Sequence, residues 1–116
     1  MHAPFGPLDD AQWRHLAETS ARPGPAGGLA LHFDPAIAVP IVATEPADID
    51  IAAFWAAVSA PTLLIRGADS DLLLAATARA MAARPGIELA EIQGCGHAPA
   101  LMAPDQIGLV TGFLAG

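Results

Sequence analysis

Two short runs hold the side chains best suited to moving a proton: Gly67-Ala68-Asp69-Ser70-Asp71 and Gly94-Cys95-Gly96-His97-Ala98-Pro99. A carboxylate bonded to one imidazole nitrogen fixes the tautomer and stabilises the cation formed when the other nitrogen takes a proton. An aspartate of the first run beside His97 would therefore make an oriented general base. Either Asp69 or Asp71 can fill that place, and the ordinary alternative for both is a loop cap bonded to nearby amides. His2, His15 and His32 have no comparable surroundings. Cys95 stands two residues from His97, where side chains on one short loop diverge, so it reads as a small, partly buried thiol rather than a nucleophile. No ligand spacing marks a metal site, and neither metal nor cofactor is expected.

The elements around these runs explain how they would meet. Thr62-Leu63-Leu64-Ile65 is too short an apolar run for a helix and leads into Gly67, which predicts a buried strand over 62–66. An Ala-rich helix follows over 74–84 and ends at Arg84-Pro85-Gly86. Ile87 to Ile92 reads as a second strand, and Pro104 opens a last helix with Ile107, Val110, Thr111 and Leu114 on one face. Strand, helix, strand is a right-handed βαβ unit, whose parallel strands lie about 5 Å apart with both loops at their carboxyl ends. The 26 residues from Asp71 to His97 are then one helix and one strand.

The first half reads differently. Leu8-Asp9-Asp10-Ala11-Gln12-Trp13 predicts a helix to about Thr19, with Asp9 as cap and Gln12 completing a capping box. Residues 22–48 carry repeated Pro and Gly and are expected to be mostly irregular, with one short extended piece at Leu29, Leu31 and Phe33. A second helix is expected over 51–58, capped by Asp48 or Asp50.

Residues 61–114, with Pro61-Thr62-Leu63-Leu64-Ile65-Arg66-Gly67, Ser70-Asp71-Leu72-Leu73, Gly94-Cys95-Gly96-His97-Ala98-Pro99 and Phe113-Leu114, resemble the C-terminal end of the α/β-hydrolase fold. The resemblance implies Asp71 as the acid, with Asp69 as the alternative, and His97 as the general base. Residues 1–58 resemble more loosely the end of that family's lid. The implied fold is α/β: a partial doubly wound parallel sheet, βαβ plus a C-terminal helix over 59–116, preceded by a helical, Pro/Gly-rich, lid-like segment over 1–58, one domain in total. Trp13, Phe54 and Trp55 read first as packing and second as the lining of an acyl pocket under such a lid.

The sequence departs from the family in its nucleophile. The family places its serine in a Gly-x-Ser-x-Gly elbow ahead of acid and histidine. The serines here are Ser20, Ser59 and Ser70, none in such an elbow, and Leu72 stands where an elbow around Ser70 needs a small residue. The implied function is an ester-type acyl hydrolase whose acid and base this chain supplies. On this reading the chain is truncated and inactive alone. The alternative is a non-catalytic fragment or interaction module derived from such a hydrolase.

Composition bounds the partners. At 116 residues the chain is one domain at most. Five Arg, no Lys and twelve Asp plus Glu give a net charge of -7, which speaks against nucleic-acid and anionic-membrane binding. The expected partner is a small-molecule substrate of the complete enzyme. A lone cysteine cannot form an internal disulfide, so a reducing cytoplasm is expected. With 53% hydrophobic residues and two strands to cover them, self-association or docking onto a missing N-terminal half is expected.

Overall fold

A computed structural model describes residues 4–42, 45 and 50–116. The chain divides into two compact units, Asp9–Val58 and a second made of Met1–Leu8 with Ser59–Gly116.

In the first unit, helix α1 spans Asp10–Thr19 and begins with the expected capping box: the Gln12 N–H donates to Asp9 Oδ1 at 2.8 Å, and the Asp9 N–H donates to Gln12 Oε1 at 2.9 Å. Two of the orphan amides of the helix start are thus satisfied by side chains. Strands β1 (Ala21–Pro23) and β2 (Leu29–Leu31) pair antiparallel, Ala21 opposite Leu31 and Pro23 opposite Leu29. The extended piece expected at 29–33 is therefore one arm of a hairpin. Its turn closes through Gly27 and Gly28, at φ 84° and 77°, values that glycine adopts without a steric penalty. Beyond it, Asp34 caps a 3-10 turn at Pro35–Ala38 that runs into α2 (Val39–Val42), so part of the stretch expected to be irregular is helical. Helix α3 is Ala52–Ala57, with Asp50 Oδ1 accepting the Ala52 N–H at 2.8 Å. The other expected cap, Asp48, lies outside the described residues.

The second unit holds the βαβ motif and the last helix. Strand β3 (Thr62–Gly67) and strand β4 (Ile87–Ile92) are parallel, in register from Thr62 opposite Ile87 to Gly67 opposite Ile92, and α4 (Ala75–Ala82) connects them. The helix packs on both strands and carries Ala78, which is fully enclosed. Gly86, at φ 80°, turns the chain after α4, and its carbonyl accepts the Thr62 N–H at 2.9 Å, so one turn both ends the helix and starts the sheet. Helix α5 (Pro104–Ala115) follows the His97 loop with Pro104 in its first turn. Leu63, Leu64 and Ile65 are only half-buried, because two strands and α4 cover less than both faces of the pair.

Candidate active site

Gly67, the last residue of β3, sets the site. A Cβ built on it would lie 2.5 Å from the Cys95 carbonyl oxygen and closer still to that of Gly96, so only a glycine lets the His97 loop lie against the strand end. The two loops are joined there by backbone bonds: the Ala68 N–H donates to Ile92 O at 2.8 Å and the Asp69 N–H to Cys95 O at 3.0 Å. Parallel pairing alone would bring both loops to one end of the sheet. This close approach brings them into contact.

Asp71 and His97 meet at that end, with His97 Nδ1 3.8 Å from Asp71 Oδ1. The distance suits an ion pair with a protonated imidazole and is longer than a hydrogen bond. Both side chains face solvent, Asp71 at 87% and His97 at 45% of full exposure, and open sites without substrate commonly hold such pairs long. Asp69 is placed differently: its amide is spent on Cys95 O, and its charge acts on the Cys95 thiol. Burial first, and that charge second, push the thiol pKa up. A buried thiol held protonated is a poor nucleophile.

Ser70 caps the turn. Its hydroxyl oxygen accepts the Leu73 N–H at 3.1 Å, its own N–H donates to Gly67 O at 3.1 Å, and the residue is buried. His15 and His32 lie exposed in the other unit, and His2 lies outside the described residues. Phe54 is largely exposed, Trp13 is 44% exposed and Trp55 is half-buried, all three in that same unit. No cluster of three or more His, Cys, Asp or Glu able to hold a metal ion occurs among the described residues. No helix among them is long and apolar enough to cross a membrane.

Two features escaped the sequence reading. Pro4 and Phe5 brace the His97 loop from its other side: the Ala98 N–H donates to Pro4 O at 3.0 Å, the Ala100 N–H to Phe5 O at 3.4 Å, and Cys95 Sγ donates to Pro4 O at 3.5 Å. Nothing local announces a contact across 91 residues. The second is Arg66, which is buried at the end of β3 and bonded to the loop that carries Asp71. Its signal was a charged residue closing an apolar run, in register with a glutamate on the next strand.

Known proteins share the sequence and the fold of the chain. No protein-family model matches the chain. Over its whole length it is 38% identical to a 3-hydroxybutyrate-oligomer hydrolase of Cupriavidus necator, of which it spans 43%. Among solved structures, an α/β hydrolase from Novosphingobium aromaticivorans superposes with a TM-score of 0.78 at 36% identity, covering 93% of this chain and 39% of the other. A protein from Rickettsia typhi assigned as a hydrolase superposes with a TM-score of 0.81 at 26% identity, covering 98% of this chain and 38% of its own.

Proposed function

The chain belongs to the α/β-hydrolase fold superfamily, whose C-terminal part it carries, and on that footing we propose that it supplies the acid and the general base of an ester-type acyl hydrolase. The observation that supports this most is the approach of Asp71 Oδ1 to His97 Nδ1 at the carboxyl ends of adjacent parallel strands. With Nδ1–H turned to the carboxylate, Nε2 is the basic nitrogen. It takes the proton of an attacking hydroxyl as that oxygen bonds to the ester carbonyl carbon. The same proton passes to the alkoxide as the ester C–O bond breaks, and the alcohol leaves. A water deprotonated by Nε2 then attacks the acyl group, releasing the carboxylic acid and regenerating the nucleophile. Asp71 keeps the ring oriented and stabilises the imidazolium, without itself taking the proton.

A serine in a Gly-x-Ser-x-Gly elbow is the nucleophile this scheme needs, and these 116 residues hold no such elbow. The curated relative is a 3-hydroxybutyrate-oligomer hydrolase, and the units of such oligomers are joined by ester bonds, which supports an ester substrate here. Small esters of hydroxy acids are accordingly the first substrates to try.

The test supplies the missing part. Alone, the chain is expected to turn over a small activated ester no faster than background, since a base without a placed nucleophile or oxyanion donors activates water weakly. Co-expressed with the unmatched portion of the Cupriavidus necator relative, it is expected to form an active complex that loses roughly 10²–10⁴-fold in kcat on His97→Ala. Turnover that survives His97→Ala overturns the proposal. A soluble, inactive complex favours the interaction-module alternative. Turnover by the chain alone that both His97→Ala and Ser70→Ala abolish would assign Ser70 as the nucleophile.

A further inference from the structure

Arg66 is the most deeply buried charged side chain among the described residues, at 6% exposure, and it does not touch His97 or Asp71 through any bond described above. Its three guanidinium nitrogens are all engaged. Nε–H donates to Leu73 O at 2.6 Å, one terminal nitrogen donates to Ser70 O at 3.3 Å, and the other pairs with Glu91 Oε1 at 2.7 Å. Ser70 and Leu73 flank Asp71 on either side, so the guanidinium grips the acid-bearing loop at both of its ends. Glu91 lies opposite Arg66 in the register of β3 and β4, so the same group ties the loop to the strand that delivers His97.

From this geometry we propose that the Arg66–Glu91 pair is a positioning device for the acid, holding Asp71 where it can accept from His97 Nδ1. The inference rests on the reading of Asp71 and His97 as an acid and base pair. Glu91 balances the arginine charge, so the buried cation does not compete with His97 for the Asp71 carboxylate. What remains is directional: a rigid planar fork whose donors fit two loop carbonyls and one carboxylate at once. Lysine keeps the charge opposite Glu91 as a point charge, without the fork. The Ser70 hydroxyl accepts the Leu73 N–H within the same loop, so Arg66 and Ser70 hold its two ends together.

The tautomer of neutral His97 reads this directly. It is measured from the ring nitrogen shifts of the 15N-histidine-labelled chain at alkaline pH, below the concentration at which the chain self-associates. An Asp71 carboxylate that accepts from Nδ1–H enriches that tautomer, so Asp71→Ala is expected to lower its population. Arg66→Lys is expected to lower it to the Asp71→Ala level, with no further change in the double variant, while the Ala68 amide stays protected because β3 and β4 still pair. A merely structural arginine would not move the His97 ring with the sheet intact. If Asp71→Ala shifts the tautomer and Arg66→Lys does not, the positioning role is overturned and the acid and base reading stands. If Asp71→Ala itself has no effect, both are overturned. Exchange of the Arg66 Nε proton in the unsubstituted chain guards against a variant that fails to fold. It is expected to be at least about tenfold slower than for the exposed Arg14 and Arg22, and equal rates would overturn the clamp.

Discussion

Cys95 shows how burial decides what a residue does. Two residues from His97, it is enclosed against Pro4 and Gly6, with its pKa pushed above the ordinary value of 9.0. A raised folded-state pKa means that the unfolded chain loses this proton first. The contribution to stability is therefore complete below the ordinary thiol pKa and is lost as pH rises from there through the raised folded-state value. The sequence has no Lys and no Tyr, so Cys95 is the one side chain that titrates between the histidines and the arginines. Denaturant midpoints are expected to fall from about pH 8 upward, with a slope no steeper than about 1.4 kcal/mol per pH unit, and Cys95→Ala should flatten the fall. An equal slope in Cys95→Ala would mean that the thiol is not the group responsible.

At the level of elements, the site is a consequence of two strands ending side by side. Gly67 is the point at which they can do so, because any Cβ there meets the backbone carbonyls of Cys95 and Gly96, which cannot rotate away as a side chain can. Gly67→Ala is expected to cost about 3 kcal/mol, at the upper end of overpacking changes, and to release the Asp69 amide to exchange. A variant with wild-type stability and a protected Asp69 amide would show that the loops do not lie as close as described. The strands themselves were legible because their signal is local: Thr62 to Ile65 is a short apolar run, Ile87 to Ile92 sets Ile87, Leu89, Ala90 and Ile92 around Glu88 and Glu91, and turn residues bound both. The candidate pair was legible for the same reason, since each partner follows a readable strand. The hairpin was half hidden, because β1 is three residues long, ends in proline and has no apolar alternation. The brace from Pro4 and Phe5 and the grip of Arg66 on Leu73 are backbone-carbonyl contacts, and a carbonyl acceptor leaves no mark in residue types.

Across the whole chain, enclosed apolar side chains are few: among the described residues they are Ala78 and Cys95, while Leu72, Phe54 and Leu114 are exposed at 73%, 76% and 76%. Strands β3 and β4 form a sheet of two, each with one edge unpaired by the described residues. The chain spans 43% of the curated relative it matches. The isolated chain is expected to self-associate with rising concentration and to bind an apolar dye, a net charge of -7 notwithstanding, since charge repels over about a Debye length and bare edges pair at contact. A monomer that stays monodisperse at rising concentration and binds no dye would contradict this and would favour a self-contained interaction module. The central claim, that Asp71 and His97 work as one acid and base unit, is tested most directly by a double-mutant cycle on kcat in the complemented enzyme. Groups that act as a unit are grossly non-additive, so Asp71→Ala should add little to the loss already caused by His97→Ala. Losses that multiply, with Asp71→Ala costing the same factor whether or not His97 is present, would contradict the account.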